Sequence, residues 1–380
     1  MSEAVIELTR ELVALNTVNP ELEAGAPGER PAVELLADRL ERSGFAIEIV
    51  GPQRRPSLLA TLRGRGGGPA LALNGHLDTV PAGGMTDPFT PRIDGERLYG
   101  RGTCDMKAGI AALVVAAEHA ARAGTDGDVL LALVADEEHG SLGTTAVLDA
   151  LRALDRLPDA CIVAEPTWLE LAGAHRGFAV IEVELRGRAA HSSRPQDGVN
   201  AVTHLGRLLA GVEARDRELA TRAPHPHAGH GSFQATVAHG GTSPFVLPDR
   251  ATATIERRTV PGDPLDAGLR EVQAILAADP ELDATCHQLM SRDAWQLAED
   301  EPHIARLVEL FGRPRRTGFP YWMESALWEQ AGVPALVCGP AGGGLHTDVE
   351  WVDLPQLRAY TESLTALIPA FSRATGAALR

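Results

Sequence analysis

The chain has 380 residues, 51 of them acidic and 35 basic, giving a formal net charge of −16. With 44% hydrophobic and 23% charged residues, it has an ordinary globular composition and is long enough for two domains. This acidic balance argues against a nucleic-acid partner, because counterion release needs a concentrated Lys/Arg footprint.

The first predicted element is a helix over 3–15, with Val5, Leu8, Leu12 and Leu15 on one face, and a second spans 31–43 before Gly44 ends it. Glu3, Glu7 and Arg10 interrupt any apolar leader, so no secretory signal is expected. Strand patterns follow at Ala46–Val50, Ser57–Leu62 and 70–74, and a Gly/Pro-rich stretch over 81–100 reads as loop or short hairpin. Residues 106–123 are apolar nearly all round, which predicts a helix buried against a sheet. The apolar run within it, 108–117, stops at Glu118 and is too short to span a bilayer, so no membrane partner is expected. Continuous apolar runs at 128–135 and 160–164 predict central strands covered on both faces.

From about His175 the pattern changes. A half-buried strand over 178–187, a helix over 198–217, strands over 232–239 and 251–260, a helix over 264–278 and a strand over 283–290 spell β-α-β-β-α-β. Helices over 302–311, 324–330 and 354–374 and a strand over 335–338 complete the chain. The expectation is an α/β fold, with a mixed, mostly parallel sheet sandwiched by helices. It is built from 1–174 and 293–380 and interrupted by an inserted α+β ferredoxin-like domain over 175–292. Cys104, Cys161, Cys286 and Cys338 are widely spaced, with no CxxC pair. That suits a reducing cytoplasm and excludes a thiolate zinc site.

Candidate chemistry sits just after the predicted strands, where ligands bind in open α/β sheets. His76 and Asp78 lie in GHLDTVP, spaced so that the carboxylate can orient the imidazole. Asp105 lies in GRGTCDMKAG at the start of the buried helix, where its bland role would be an N-cap. Asp136, Glu137 and Glu138 form an acidic turn, costly unless exposed or opposite a cation. Glu165 follows the strand ending at Ala164, and a glycine loop delivers His346 beyond the insertion. Singly these are a hydrogen-bonded histidine, a cap and solvated carboxylates. Together they are the donor inventory of a hydrolytic site, suited to two divalent ions, zinc foremost and cobalt or manganese as alternatives.

The motifs GHLDTVP, GRGTCDMKAG, DEEHGSLGT, AEPT and GLHTDVEW resemble the co-catalytic zinc peptidase family of acetylornithine deacetylase, succinyl-diaminopimelate desuccinylase, aminoacylase-1 and carboxypeptidase G. The resemblance covers nearly the whole chain, in the family's order. It implies that His76 and Glu165 hold one metal, Glu138 and His346 the other, and Asp105 bridges them. Glu137 would be the general base and Asp78 the residue orienting His76. In GRAAHSSRP, His191 would reach the partner subunit's site and donate to the developing oxyanion. In ERRTVPG, Arg258 would clamp a substrate carboxylate. The inserted domain would serve as lid and as the surface of a homodimer.

Two departures bear on the substrate: Phe245 stands where such enzymes usually carry Asn, and Glu324 where they usually carry Asp. His225, His227 and His230, separated by Pro and Gly, read as a surface loop rather than a metal cluster, and no GxSxG elbow supports a serine hydrolase. The expected activity is hydrolysis of the amide bond of an N-acyl amino acid or small peptide. The alternatives are a dipeptidase of the same family and a non-catalytic amino-acid-binding protein on the same fold.

Overall fold

The continuous apolar runs become the middle of a sheet. In the computed structural model, which describes residues 2–374, helices α1 (Ser2–Val13) and α2 (Arg30–Arg42) precede strands β1 (Ala46–Val50), β2 (Ser57–Leu62) and β3 (Leu71–His76). They are followed by α3 (Ala108–Ala123), β4 (Val129–Val134), α4 (Leu142–Ala153) and β5 (Ala160–Val163). Next come β6 (Gly177–Arg186), α5 (Ala201–Thr221), β7 (Ser232–Gly240), β8 (Arg250–Thr259), α6 (Ala267–Ala278) and β9 (Ala284–Arg292). The last elements are α7 (Pro302–Leu310), α8 (Ser325–Gln330), β10 (Ala335–Val337) and α9 (Leu354–Phe371). The chain divides into two compact units. Of the described residues, one comprises 2–172, Leu297–Arg316 and 324–374; the other comprises Gly173–Gln296 and the short piece Thr317–Met323.

The first unit holds a six-stranded sheet in the order β1-β2-β4-β3-β5-β10. β3 runs parallel to β4 and β5, and β10 parallel to β5, while β1 and β2 join as an antiparallel pair at one edge. The expected mixed, mostly parallel sheet is therefore present. Every residue of β3, β4, β5 and β10 is buried, which is why their sequences do not alternate. α3 is buried along most of its length; Ile110, Leu113 and Val114 are fully covered, each adding roughly 1.5–3 kcal/mol of transfer free energy. A Cβ on Gly109 would lie 2.4 Å from the Ala164 carbonyl, so glycine there lets the first turn of α3 approach the end of β5.

The second unit carries a four-stranded antiparallel sheet, ordered β7-β8-β6-β9, with the β-α-β-β-α-β sequence of elements. Here the strands do alternate. Ala179, Ile181, Val183 and Leu185 of β6 face a core completed by Leu205, Leu208 and Val212 of α5 and Val272 of α6. Edge strand β7 is exposed over 234–240.

Two boundaries differ from expectation in ways that matter. β3 continues to His76, because its ladder with β4 pairs Gly75 with Leu133 and His76 with Val134. His76 thus sits on the last rung of the sheet, not in the loop beyond it. α3 begins only at Ala108, so Asp105 lies in an irregular turn ahead of the helix and is not its N-cap. Helix α4 was not anticipated, since Gly143 and two adjacent threonines dilute its periodicity. No helix among the described residues is long and apolar enough to cross a membrane.

Candidate metal centre and active site

Seven of the nine residues given roles above converge in the first unit, five of them at the ends of β3, β4 and β5. Asp105 is the centre of the arrangement. Its Oδ1 lies 3.0 Å from His76 Nε2, and its Oδ2 lies 3.3 Å from His346 Nε2. Behind each imidazole stands one glutamate: Glu165 Oε1 is 3.6 Å from His76 Nε2, and Glu138 Oε2 is 3.2 Å from His346 Nε2. Two half-sites therefore share one carboxylate. The half-sites differ in exposure, with His76 1% and His346 53% accessible, and His346 adopts a left-handed backbone at φ 59°. Ligand atoms within 4.8 Å of one another form two overlapping triplets, His76–Glu137–Glu165 and His76–Asp105–Glu138. Both adjacent glutamates thus come within reach of His76, and Glu138 alone of the two also pairs with His346.

The tautomer of His76 is set by the chain itself. Its Nδ1 is 3.0 Å from the Asp78 backbone carbonyl, which can only accept, so Nδ1 carries a proton and Nε2 is the nitrogen turned toward two carboxylates. The Asp78 carboxylate is farther, at 3.6 Å, and is otherwise engaged. Its Oδ1 accepts from the Glu137 N–H at 3.1 Å, and its Oδ2 from the Glu138 N–H at 3.2 Å and Asn19 Nδ2 at 2.8 Å. Asp78 therefore fastens the acidic turn to the end of β3. Orientation of His76, assigned to the side chain from spacing, falls mainly to the main chain.

The cost of three adjacent carboxylates is met by burying a cation under the first. Asp136 adopts a left-handed backbone at φ 69°, and its carboxylate has partners of its own. There Oδ1 accepts from Arg55 Nη1 at 2.9 Å and Asn19 Nδ2 at 3.0 Å. Arg55 in turn pairs with fully buried Glu29 at 2.5 Å.

Electrostatics at the centre are those of a site that needs cations. Burial, together with neighbouring carboxylates, holds Glu137 and Glu165 well above the usual carboxylate range and raises Glu138 as well. Burial also pushes Asp105 up, but hydrogen bonds from His346 and His76 outweigh it and hold its carboxyl low. Desolvation disfavours an imidazolium at His76, yet Asp105 at 3.0 Å wins and raises it well above the usual value. Hydrogen bonds to Asp105 and Glu138 lift His346 to about 10. Protons thus occupy positions between donors that divalent ions would fill. Glu138 Oε1 is buried with no partner, and the donors are hard oxygens and imidazoles without a thiolate. The residues fit two divalent ions.

The remaining candidates lie in the second unit. His191 is exposed, and its Nδ1 accepts from the Ser193 N–H at 3.2 Å, leaving the ring proton on Nε2. Arg258 is 31% accessible, pairs with Glu256 at 2.5 Å and lies 5.4 Å over the Phe178 ring. Its neighbour Arg257 is the buried one, tied to Glu271 and Asp263. Phe245 is 68% exposed, and its carbonyl accepts from the Ser192 N–H beside His191. His225 Nδ1 accepts from His227 and Ala228 N–H groups, closing a turn, as its loop composition suggested.

Comparison with known proteins decides the family. The model of peptidase family M20/M25/M40 matches residues 72–370, most of the chain and every residue of the centre. The chain belongs to that family. It is 30% identical to a succinyl-diaminopimelate desuccinylase of Cereibacter sphaeroides over 93% of this chain and 94% of that one. It is also 30% identical to an acetylornithine deacetylase of Proteus mirabilis, over 96% of both. A dinuclear metal-binding M20 peptidase of Bacillus subtilis superposes with a TM-score of 0.72 at 17% identity, covering 98% of this chain and 99% of that one.

Sequence reasoning missed the supports of this M20 hydrolase's centre. Asn19, Arg55 and Glu29 were not singled out, and neither were Arg101 and Glu350, which pair at 2.8 Å with each 2% exposed. The one available signal was chemical: an acidic triplet after a buried strand needs a cation, and it does not say which arginine supplies it.

Proposed function

We propose that this chain is a dinuclear metal-dependent hydrolase that cleaves the amide bond of an N-acyl amino acid or a small peptide. The observation that carries the reading is Asp105, which offers one oxygen to each of two imidazoles, each backed by its own glutamate. His76, Asp105 and Glu165 would hold one ion and His346, Asp105 and Glu138 the other, zinc being the metal that this donor set suits best. Bound there, the ions would supply Lewis-acid polarisation of the scissile carbonyl and acidify the attacking water.

Glu137 does the proton work. Its carboxylate takes a proton from water as oxygen adds to the carbonyl carbon, then gives it to the leaving nitrogen as the C–N bond breaks. Asp78 holds the main chain of Glu137 so that this carboxylate stays beside the His76 half-site. Arg258 binds the free carboxylate of the substrate through charge-assisted hydrogen bonds. His191, with its proton on Nε2, donates to the developing oxyanion of the partner copy. The exposed edge of β7 supports a two-fold dimer made through the inserted unit, and the four unpaired cysteines support a cytoplasmic setting.

The relatives' names, desuccinylase and acetylornithine deacetylase, support acylated amino acids as the substrate class. The test is a panel of N-acetyl, N-succinyl and N-formyl amino acids and dipeptides, assayed with added zinc, cobalt or manganese alongside metal analysis. About two metals per chain and hydrolysis of at least one class are expected. A chain that binds no metal and cleaves none of them is not this enzyme. The trans role of His191 has its own test: Glu137→Gln and His191→Ala chains, each nearly inactive, should recover about a quarter of wild-type activity after subunit exchange. No recovery despite proven exchange, or a monomer in solution, removes it.

A further inference from the structure

Asp105 sits in a turn that belongs to no regular element, yet it must present its two oxygens to two imidazoles at once. The turn's main chain is held from outside. Glu350 Oε1 accepts from the Cys104 N–H at 2.8 Å and the Asp105 N–H at 3.1 Å, while Oε2 accepts from the Gly102 N–H at 2.9 Å and Arg101 Nη1 at 2.8 Å. Arg101 Nη2 reaches the Thr347 carbonyl at 2.9 Å, one residue past His346. Strand pairing sets the same register: Gly342–Gly343 pairs with Trp351–Asp353, which pairs with Arg97–Tyr99 just before the turn.

We propose that Glu350 is the positioning residue of the bridging carboxylate, and that with Arg101 it clips the Asp105 turn to the His346 loop. The physical case rests on what else this pair could be for. A buried ion pair contributes little net stability, and an apolar pair of similar volume often does as well. Four N–H donors collected by one carboxylate instead fix a main chain that has no ladder of its own. Two ligands of one half-site, Asp105 and His346, are thereby set from a single carboxylate, and neither Glu350 nor Arg101 would touch an ion. Outer partners of this kind typically tune metal affinity by about 10–100-fold.

This inference rests on the dinuclear reading, and the experiment separates the two. Zinc and cobalt binding are measured by chelator competition for the wild type, Glu350→Gln and Arg101→Lys, with thermal unfolding of the metal-free chains in parallel. Glu350→Gln keeps size but removes the charge and turns one acceptor into a donor that faces N–H groups. Its metal affinity should fall by about 10–100-fold, with activity recovering as metal is raised to saturation. A residue that merely stabilises the fold would lower the melting temperature and leave metal affinity within twofold, and that result overturns the proposal. If Glu350→Gln does not fold, Arg101→Lys decides by the same criterion, since it keeps the charge and loses the fork that joins Glu350 to Thr347. A wild type that binds no metal overturns the dinuclear reading itself.

Discussion

In the first unit, charge is carried to the bottom of the fold: Arg55, Glu29, Asp136, Arg101 and Glu350 are all at most 5% exposed. They cluster under the ends of buried strands and fasten the turns that carry Glu137, Glu138 and Asp105. The inserted unit buries Arg257 against Glu271 and Asp263 and otherwise follows the ordinary rule. Its core is aliphatic, its strands alternate, and its candidates His191 and Arg258 lie toward solvent on short polar contacts. Buried ion pairs return little stability for their desolvation, so their concentration in the first unit reflects a demand for position. A centre that must bring several carboxylates and two imidazoles together needs turns that cannot drift. A solvent-facing surface does not.

The contrast is tested most severely at the adjacent glutamates. Glu137→Gln should retain both metals while activity falls by about 10²–10⁴-fold, the usual reach of general acid–base catalysis. Stoichiometric loss of metal would reverse the roles of Glu137 and Glu138. Asp105→Ala, in contrast, should disturb both ions together, and loss of one alone would count against the bridge.

In the inserted unit the effects should be smaller and tied to the substrate. Arg258→Ala should raise KM for substrates with a free α-carboxylate by roughly 1.5–3 kcal/mol, with carboxyl-amidated analogues much less affected. Equal losses for both would mark Arg258 as structural.

Stability should also respond to pH there. Burial lowers fully covered His175 to about 4 from 6.5, against opposing hydrogen bonds to Arg176 and Met323. The folded state therefore prefers the neutral ring. Its contribution is complete above about pH 6.5, declines as pH falls, and is gone below about 4. The span is worth on the order of 3 kcal/mol. Urea titrations across that window should show a shallower slope for His175→Gln than for the wild type, and an unchanged slope would place the acid sensitivity elsewhere. The smallest effect is expected at exposed Phe245, where Asn should shift preference a few-fold toward polar acyl groups, as judged by kcat/KM ratios across the substrate panel.

The layered architecture was legible because its causes are local. Unbroken apolar runs at β4 and β5 mean strands covered twice, and alternation along β6 means a sheet covered once. The residues that meet at Asp105 were legible because each follows a strand or a glycine turn. What escaped is non-local. Asn19 and Asp136, or Arg101 and Glu350, are joined across more than a hundred residues, and no periodicity or spacing records such a pairing. Asp78 escaped differently: its position was read correctly, but the nearest acceptor for His76 is a main-chain carbonyl, which side-chain spacing cannot reveal.

Chain order gives the shared carboxylate a consequence in time. His76, Asp105, Glu138 and Glu165 are all made before the inserted unit, and His346 only after it. On the ribosome the His76–Asp105–Glu165 half is therefore complete in sequence while the other lacks its imidazole, and the Asp105 turn lacks the clip that Glu350 supplies. Until His346 and Glu350 are made, the bridging carboxylate faces one imidazole and lacks its clip. The arrangement is complete only when residues 342–353 emerge, after the whole inserted unit already exists.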